Sequence, residues 1–229
     1  MSNNPPFPFQ IIGFDLDGTL LDTSGDLAAA CNHALGTIGR SPLPVRDIRL
    51  MIGGGAGMLL QRALEVTGGG DEALFKQLTP VMLDYYDAHI SVHTHVFSGL
   101  IDALDGLAAR GVRLAVVTNK LERYARKLIE EIGLAPHFAC VLGGDTLGSG
   151  KAKPAPDLIY EMIAQCGGLN TGERAAFVGD TQFDISAARN AGIPSVAVSF
   201  GFIRDAAEIA GADAIIDHYD ELIGTLARL

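Results

Sequence analysis

The sequence predicts an α/β protein, a doubly wound parallel sheet with an α-helical subdomain inserted after its first strand. Three observations carry this. Short apolar runs alternate with amphipathic helical stretches, the pattern of parallel strands joined by helical crossovers. The alternation breaks once, between residues 24 and 90, where helical periodicity continues without a strand-like run. Several apolar runs are followed by carboxylates, hydroxyls or a lysine, and ligands of open α/β sheets bind beyond the carboxyl ends of strands.

In chain order, the first expected strand is residues 11–15, Ile-Ile-Gly-Phe-Asp. The helical block then shows one stripe of Leu27, Cys31, Ala34, Leu35 and Ile38, and another of Leu74, Phe75, Leu78, Val81, Met82 and Tyr85. About seventy residues is too long for an ordinary crossover, so the block reads as an insert joined through residues 20–24 and 92–97. The expected division is a core of residues 1–21 and 95–229 and a helical cap of residues 22–94. A helix opened by Ser98 and closed by Gly111 carries Ile101, Leu104, Leu107 and Ala108. Residues 112–118 form the next strand, and a helix over residues 123–132 stops at Gly133. Further strands are expected at 139–142, 175–179 and 195–199, with a short sixth at 214–216.

Composition narrows the class. A chain of 229 residues, 48% apolar and 19% charged, has material for a buried core and lies far from disorder. Seventeen Lys and Arg against 27 Asp and Glu give a net charge of −10 with no basic run, which argues against nucleic acid. Cys31, Cys140 and Cys166 cannot all pair and show no Cys-x-x-Cys spacing, which suits a reducing compartment. No run approaches the 18 or so apolar residues of a membrane span. Residues 1–10, with Pro5, Pro6 and Pro8, lack the charged and apolar regions of a signal peptide. A cytoplasmic chain acting on a small molecule is expected, as a monomer or homodimer.

The strand ends hold the chemistry. The first run leads into Asp15-Leu16-Asp17-Gly18-Thr19, the second into Thr118-Asn119-Lys120, and 175–178 into Gly179-Asp180 with Asp184 four residues on. Lys153-Pro154-Ala155-Pro156 precedes that last strand. Asp-x-Asp-x-Thr alone could be a turn with capping aspartates. Followed in order by Thr118, Lys153, Asp180 and Asp184, it points to one site. Carboxylates crowded there repel one another unless a cation intervenes, and hard Mg²⁺ is the natural one.

These residues resemble the signatures of the haloacid dehalogenase-like superfamily. Phe14 to Leu20 is similar to its first signature, and Thr118, Lys153 and Gly179-Asp180-x-x-x-Asp184 to its second, third and fourth. The resemblance spans nearly the whole chain, including a helical cap of the C1 type. Within the superfamily it is most similar to the bacterial phosphoglycolate phosphatase group, on Asp22-Thr23, Asp26-Leu27, Ile52-Gly53-Gly54-Gly55-Ala56, Arg62-Ala63-Leu64 and Thr118-Asn119-Lys120. It departs at Gly54, where that group carries Asn.

The resemblance implies a Mg²⁺-dependent phosphomonoester hydrolase, with 2-phosphoglycolate the leading substrate. Asp15 would be the nucleophile that forms an aspartyl-phosphate, and Asp17 the acid and base. Dehalogenases lack that second carboxylate, so Asp17 favours phosphoryl transfer. Asp15, the Asp17 carbonyl and Asp180 would hold Mg²⁺, with Asp184 and Thr19 behind them. Thr118, Asn119 and Lys153 would bind the phosphoryl group, Lys153 also offsetting charge on Asp15. Gly54 and Gly55 read as part of a cap loop facing the site, or as a plain helix-opening turn. Arg62 reads either as a clamp for a substrate carboxylate or as a surface arginine. Tyr85-Tyr86 reads as packing within the cap, and His93 and His95 as hinge polarity.

The same core and cap also serve sugar-phosphate mutases of the β-phosphoglucomutase type, pyrophosphatases and nucleotidases. A receiver-like phospho-acceptor switch is a rival from another class, but it needs neither an inserted cap nor Asp17.

Overall fold

A computed structural model describes residues 7–168, 172–203 and 205–229. The proline-containing N-terminal segment through residue 6 lies outside them. In chain order the strands are β1 (Ile11–Phe14), β2 (Leu21–Asp22), β3 (His95–Val96), β4 (Arg113–Val117), β5 (Phe138–Leu142), β6 (Ala175–Gly179), β7 (Ser195–Val198) and β8 (Ala214–Ile216). Six of them form one sheet in the order β5-β4-β1-β6-β7-β8, each parallel to its neighbours. All six expected strands are present, several trimmed at the carboxyl end. Asp15, Thr118 and Ser199 still donate backbone N–H bonds to the next strand, but their side chains belong to the loops.

The strands alternate between two buried faces, as a period of two requires. Ile12, Phe14, Leu114, Val116, Ala176 and Val178 pack into one core; Ile11, Ala115, Val117, Ala175 and Phe177 pack into the other. Four helices separate β2 from β3: α1 (Ser24–Thr37), α2 (Val45–Arg49), α3 (Ala56–Val66) and α4 (Glu72–Ala88). Around the sheet, α5 (Leu100–Ala108) and α6 (Glu122–Glu131) cover the first face, together with the C-terminal α9 (Leu222–Leu226). On the second face lie α7 (Asp157–Gln165) and part of α8 (Gln182–Ala191). This is a doubly wound sheet, as expected.

Two details differ from the sequence reading. The two linkers around the helical block pair as an antiparallel ribbon, with Leu21 opposite Val96 and Asp22 opposite His95. Two-residue strands carry no periodic signal. The Asp26 carboxylate reinforces this junction by accepting from the backbone N–H groups of His93 and Thr94 and from the Thr94 hydroxyl. The second difference is the phase of α4. Its buried residues are Leu78, Met82 and Tyr86, an i, i+4, i+8 row. Tyr85 is half-buried on another face, stacked between the His33 and His89 rings.

Arg49 ties the helical block to the sheet. Its guanidinium donates to Asp22 Oδ2 at 2.9 Å and to the carbonyls of Phe200 and Gly201, in the loop after β7.

Candidate active site

Parallel register brings the expected residues to one edge. Phe14 pairs with Val116 on one side and Val178 on the other, so the residues just beyond them emerge together. The sheet order places β1 between β4 and β6, where successive connections run to opposite sides of β1, the usual ligand crevice of such sheets.

Lys153 lies at the centre, 4% exposed. Its Nζ donates to Asp15 Oδ1 at 2.7 Å, to Asp184 Oδ1 at 2.6 Å and to the Val117 carbonyl at 2.8 Å, which uses all three ammonium hydrogens. Burial works against its charge, but the two carboxylates outweigh that and hold its pKa above the ordinary lysine value. Asp184 faces two ways for a local reason. It stands at the third position of α8, where its Oδ2 accepts from the Thr181 N–H and hydroxyl in a capping box, and this leaves Oδ1 for Lys153.

Asp180 is fully buried, accepting from the Thr19 hydroxyl at 3.2 Å and the Phe202 N–H at 2.6 Å. Gly18 makes room for it: its φ is +86°, and a Cβ there would collide with the Asp180 carboxylate. Oxygens of Asp15, Asp180 and Asp184 lie within 4.8 Å of one another. Burial, then the repulsion of Asp15 and Asp184, raises Asp180 well above the usual carboxylate range. Burial likewise lifts Asp15 to about 7, against the pull of Lys153 and with the push of Asp184 and Asp17.

Three carboxylates and one ammonium leave this buried cluster two negative charges in excess when all are ionised. An all-oxygen donor set with that excess fits a hard divalent cation. The residues present therefore suit Mg²⁺.

Asp17 is served by a different cation. Lys120 Nζ donates to its Oδ2 at 2.9 Å, and the Thr23 hydroxyl donates to its Oδ1 at 2.7 Å. Burial opposes the Lys120 charge, yet Asp17, then Tyr86, raises its pKa above the usual lysine value. Its ammonium also lies 4.8 Å from the Tyr86 ring centre. Asp15 and Asp17 thus sit side by side, each with its own lysine.

Both aspartates open onto a cavity of about 30 Å³, whose walls include Leu27, Ile52, Leu59, Met82 and Tyr86 from the helical block and Thr118, Asn119 and Lys120 from the sheet edge.

A family model described as haloacid dehalogenase-like hydrolase matches residues 12–198. The chain belongs to that family. Among its relatives, a phosphoglycolate phosphatase of Caulobacter vibrioides is 38% identical over 91% of this chain and 86% of its own. One from Agrobacterium fabrum is 35% identical over 99% of this chain and 95% of its own. The crystal structure of a predicted phosphoglycolate phosphatase from Haemophilus somnus 129pt superposes with a TM-score of 0.86 at 30% identity, covering 95% of this chain and 98% of that one. The chain is thus similar to proteins of that name over nearly its whole length.

Within this hydrolase, the residues expected at the site are together in one respect and apart in another. Asp15, Asp17, Thr118 and Asn119 line the cavity; Thr19, Lys153, Asp180 and Asp184 lie in the buried cluster beneath it. Asn119 Nδ2 donates to the carbonyls of Gly53 and Lys153, joining the glycine loop to the Lys153 loop. Gly55 lines the cavity, its backbone close to the Asn119 carbonyl, whereas Gly54 packs on Met58 and faces a neighbouring groove. Arg62 is not brought to Asp15. It donates to the Met51 carbonyl at 2.7 Å and lines a separate hollow with Thr181, Phe183 and Glu208. The residue passed over in sequence is Lys120, whose signal was its place two residues after Thr118 at a strand end.

Proposed function

We propose that this hydrolase is a Mg²⁺-dependent phosphomonoesterase acting on a small anionic ester, 2-phosphoglycolate first, through a phosphorylated Asp15. The observation that carries the reading is the pair of carboxylates facing one cavity, Asp15 on Lys153 and Asp17 on Lys120. The names of the relatives support the substrate.

In this mechanism an Asp15 oxygen attacks phosphorus as the bond to the leaving alkoxide breaks, and Asp17 gives that alkoxide its proton. Asp17 then takes a proton from the water that attacks phospho-Asp15, which releases phosphate, frees the Asp15 carboxylate and returns Asp17 to its protonated form. The Thr118 hydroxyl and the Asn119 backbone N–H hold phosphoryl oxygens, and Lys153 offsets charge shared by nucleophile and phosphate. Asp184, anchored by its capping box, and Thr19, on Asp180, keep these groups in place. Asp15, Asp180 and the Asp17 carbonyl would hold Mg²⁺, which when bound supplies further stabilisation of the transferring charge.

Residues 22–94 act as the cap over a core of residues 1–21 and 95–229, hinged at the β2–β3 ribbon. The cavity is small, about 30 Å³, which favours a small leaving group, and cap movement would widen it for entry. Three buried, unpaired cysteines suit a cytoplasmic setting.

The first test is phosphate release from 2-phosphoglycolate with and without Mg²⁺, beside sugar and nucleoside monophosphates. Mg²⁺-dependent preference for 2-phosphoglycolate is expected; metal-independent or absent release across the panel overturns the reading. Asp17→Asn is expected to lower turnover by about 10²–10⁴-fold, with phospho-Asp15 persisting wherever the first step still occurs. Unchanged turnover would remove its acid–base role.

A further inference from the structure

The geometry points to Tyr86 and Lys120 as the subsite for the substrate's carboxylate, a specificity contact made jointly by helix α4 and the β4 edge. The inference rests on the phosphomonoesterase reading and adds to it what recognises the non-reacting end of the ester.

The argument starts from charge. Among the described residues lining the cavity over Asp15 and Asp17, Lys120 is the one cation. Lys153 lies beneath, its hydrogens spent on Asp15, Asp184 and Val117. An ammonium has three donors, and Asp17 takes one of those on Lys120. The position matches the chemistry. Asp17 is the proposed proton donor to the leaving oxygen, and in a 2-phospho carboxylic acid the carboxylate carbon is two bonds from that oxygen. A cation meeting that carboxylate must therefore adjoin the acid, and Lys120 Nζ lies 2.9 Å from Asp17 Oδ2.

Tyr86 supplies the second, independent observation. It is 2% exposed and lines the same cavity. Its buried hydroxyl lies beside the Lys120 ammonium, which can only donate to it, and makes no hydrogen bond of normal geometry to any described residue, so its own hydrogen has no acceptor. An unmet buried hydroxyl is costly, and a site that contains one is poised for a ligand that satisfies it. Burial pushes its pKa up to about 12, so it remains a donor. Leu27, Ile52, Leu59 and Met82 wall the space without competing polar groups, which strengthens a charge-assisted bond formed there. Tyr86 lies on the row of α4 that faces the cavity, so closure of the cap would deliver it to the carboxylate.

The test compares 2-phosphoglycolate with ethyl phosphate, which has a methyl group where the former has its carboxylate. Steady-state kinetics with Mg²⁺ are measured for the wild type, Tyr86→Phe and Lys120→Met, after circular dichroism has matched their folds. Tyr86→Phe keeps the ring and removes only the hydroxyl. The expected result is a fall of about 10- to 100-fold in the kcat/KM preference for 2-phosphoglycolate over ethyl phosphate, mainly through KM. Lys120→Met is expected to lower that preference further. Equal losses on both esters, or an unchanged preference in both variants, overturn the subsite. Wild-type turnover of both esters without preference overturns it too while leaving the phosphomonoesterase standing. Wild-type turnover of neither overturns the phosphomonoesterase reading itself, and the subsite with it.

Discussion

Asp15→Asn is expected to abolish phosphate release, by on the order of 10⁴-fold or more, while leaving the sheet intact. An amide is isosteric with the carboxylate and accepts from Lys153, but it cannot form the aspartyl-phosphate. The same variant carries a stability signature. Burial, only partly opposed by Lys153 and reinforced by Asp184 and Asp17, lifts the Asp15 pKa from 3.8 to about 7. A folded-state value above the unfolded one means that the folded chain binds the proton more tightly. The associated stability is fully present below about pH 4 and is lost as the pH rises toward about 7. In chelator, wild-type protein should therefore lose stability from Asp15 across that window, and the variant, with nothing to titrate at this position, should lose less. Thermal melts at pH 5 and pH 8 measure the difference. Retained hydrolysis would remove Asp15 as the nucleophile, and identical pH dependence would show that its carboxyl is not strained by burial.

Lys153→Met should be the most damaging single change to the metal-free fold. The methionine fills much of the lysine stem, but three buried carboxylates then face one another without an ammonium. Breaking a buried pair by removing one partner costs about 3–5 kcal/mol, because the remaining charge is left uncompensated. Saturating Mg²⁺ should restore part of that loss, since a cation that binds only the folded state stabilises it by mass action. Urea unfolding with and without Mg²⁺ reads both effects. Catalysis should fall by on the order of 10²–10³-fold even with metal, as when one electrostatic contact to the transition state is lost. An unchanged unfolding midpoint in chelator would mean that Lys153 is not the counter-charge the geometry indicates.

The two experiments separate roles that the sequence could only place side by side. Asp15, Thr118, Asp180 and Asp184 were legible because each sits where an apolar run ends or a helix begins, and those are local patterns. Lys153, in a loop, was legible only from its place in the order of the signatures. The capping box of α8 shows how local: Thr181 and Asp184 are three residues apart, and their spacing aims one Asp184 oxygen at the helix and the other at Lys153. The six strands were legible for the same reason.

Other features were not. Tyr85 and Tyr86 are adjacent, and a helix separates adjacent side chains by about 100°, so only the packing of α4 selects which one faces the cavity. Arg62 has the right chemistry to grip a carboxylate, but the path of the chain after the glycine loop carries it to a different hollow. The two-residue ribbon under the cap is too short to have a period.

Local pattern therefore settled the strands, the inserted helices and which side chains stand at the strand ends, because periodicity and capping act within one or two turns of chain. The pairing of Asp17 with Lys120, 103 residues apart, and the choice of Tyr86 over Arg62 at the cavity wall depended on parallel register and helix rotation. Those are settled only when distant segments bury their apolar faces against one another.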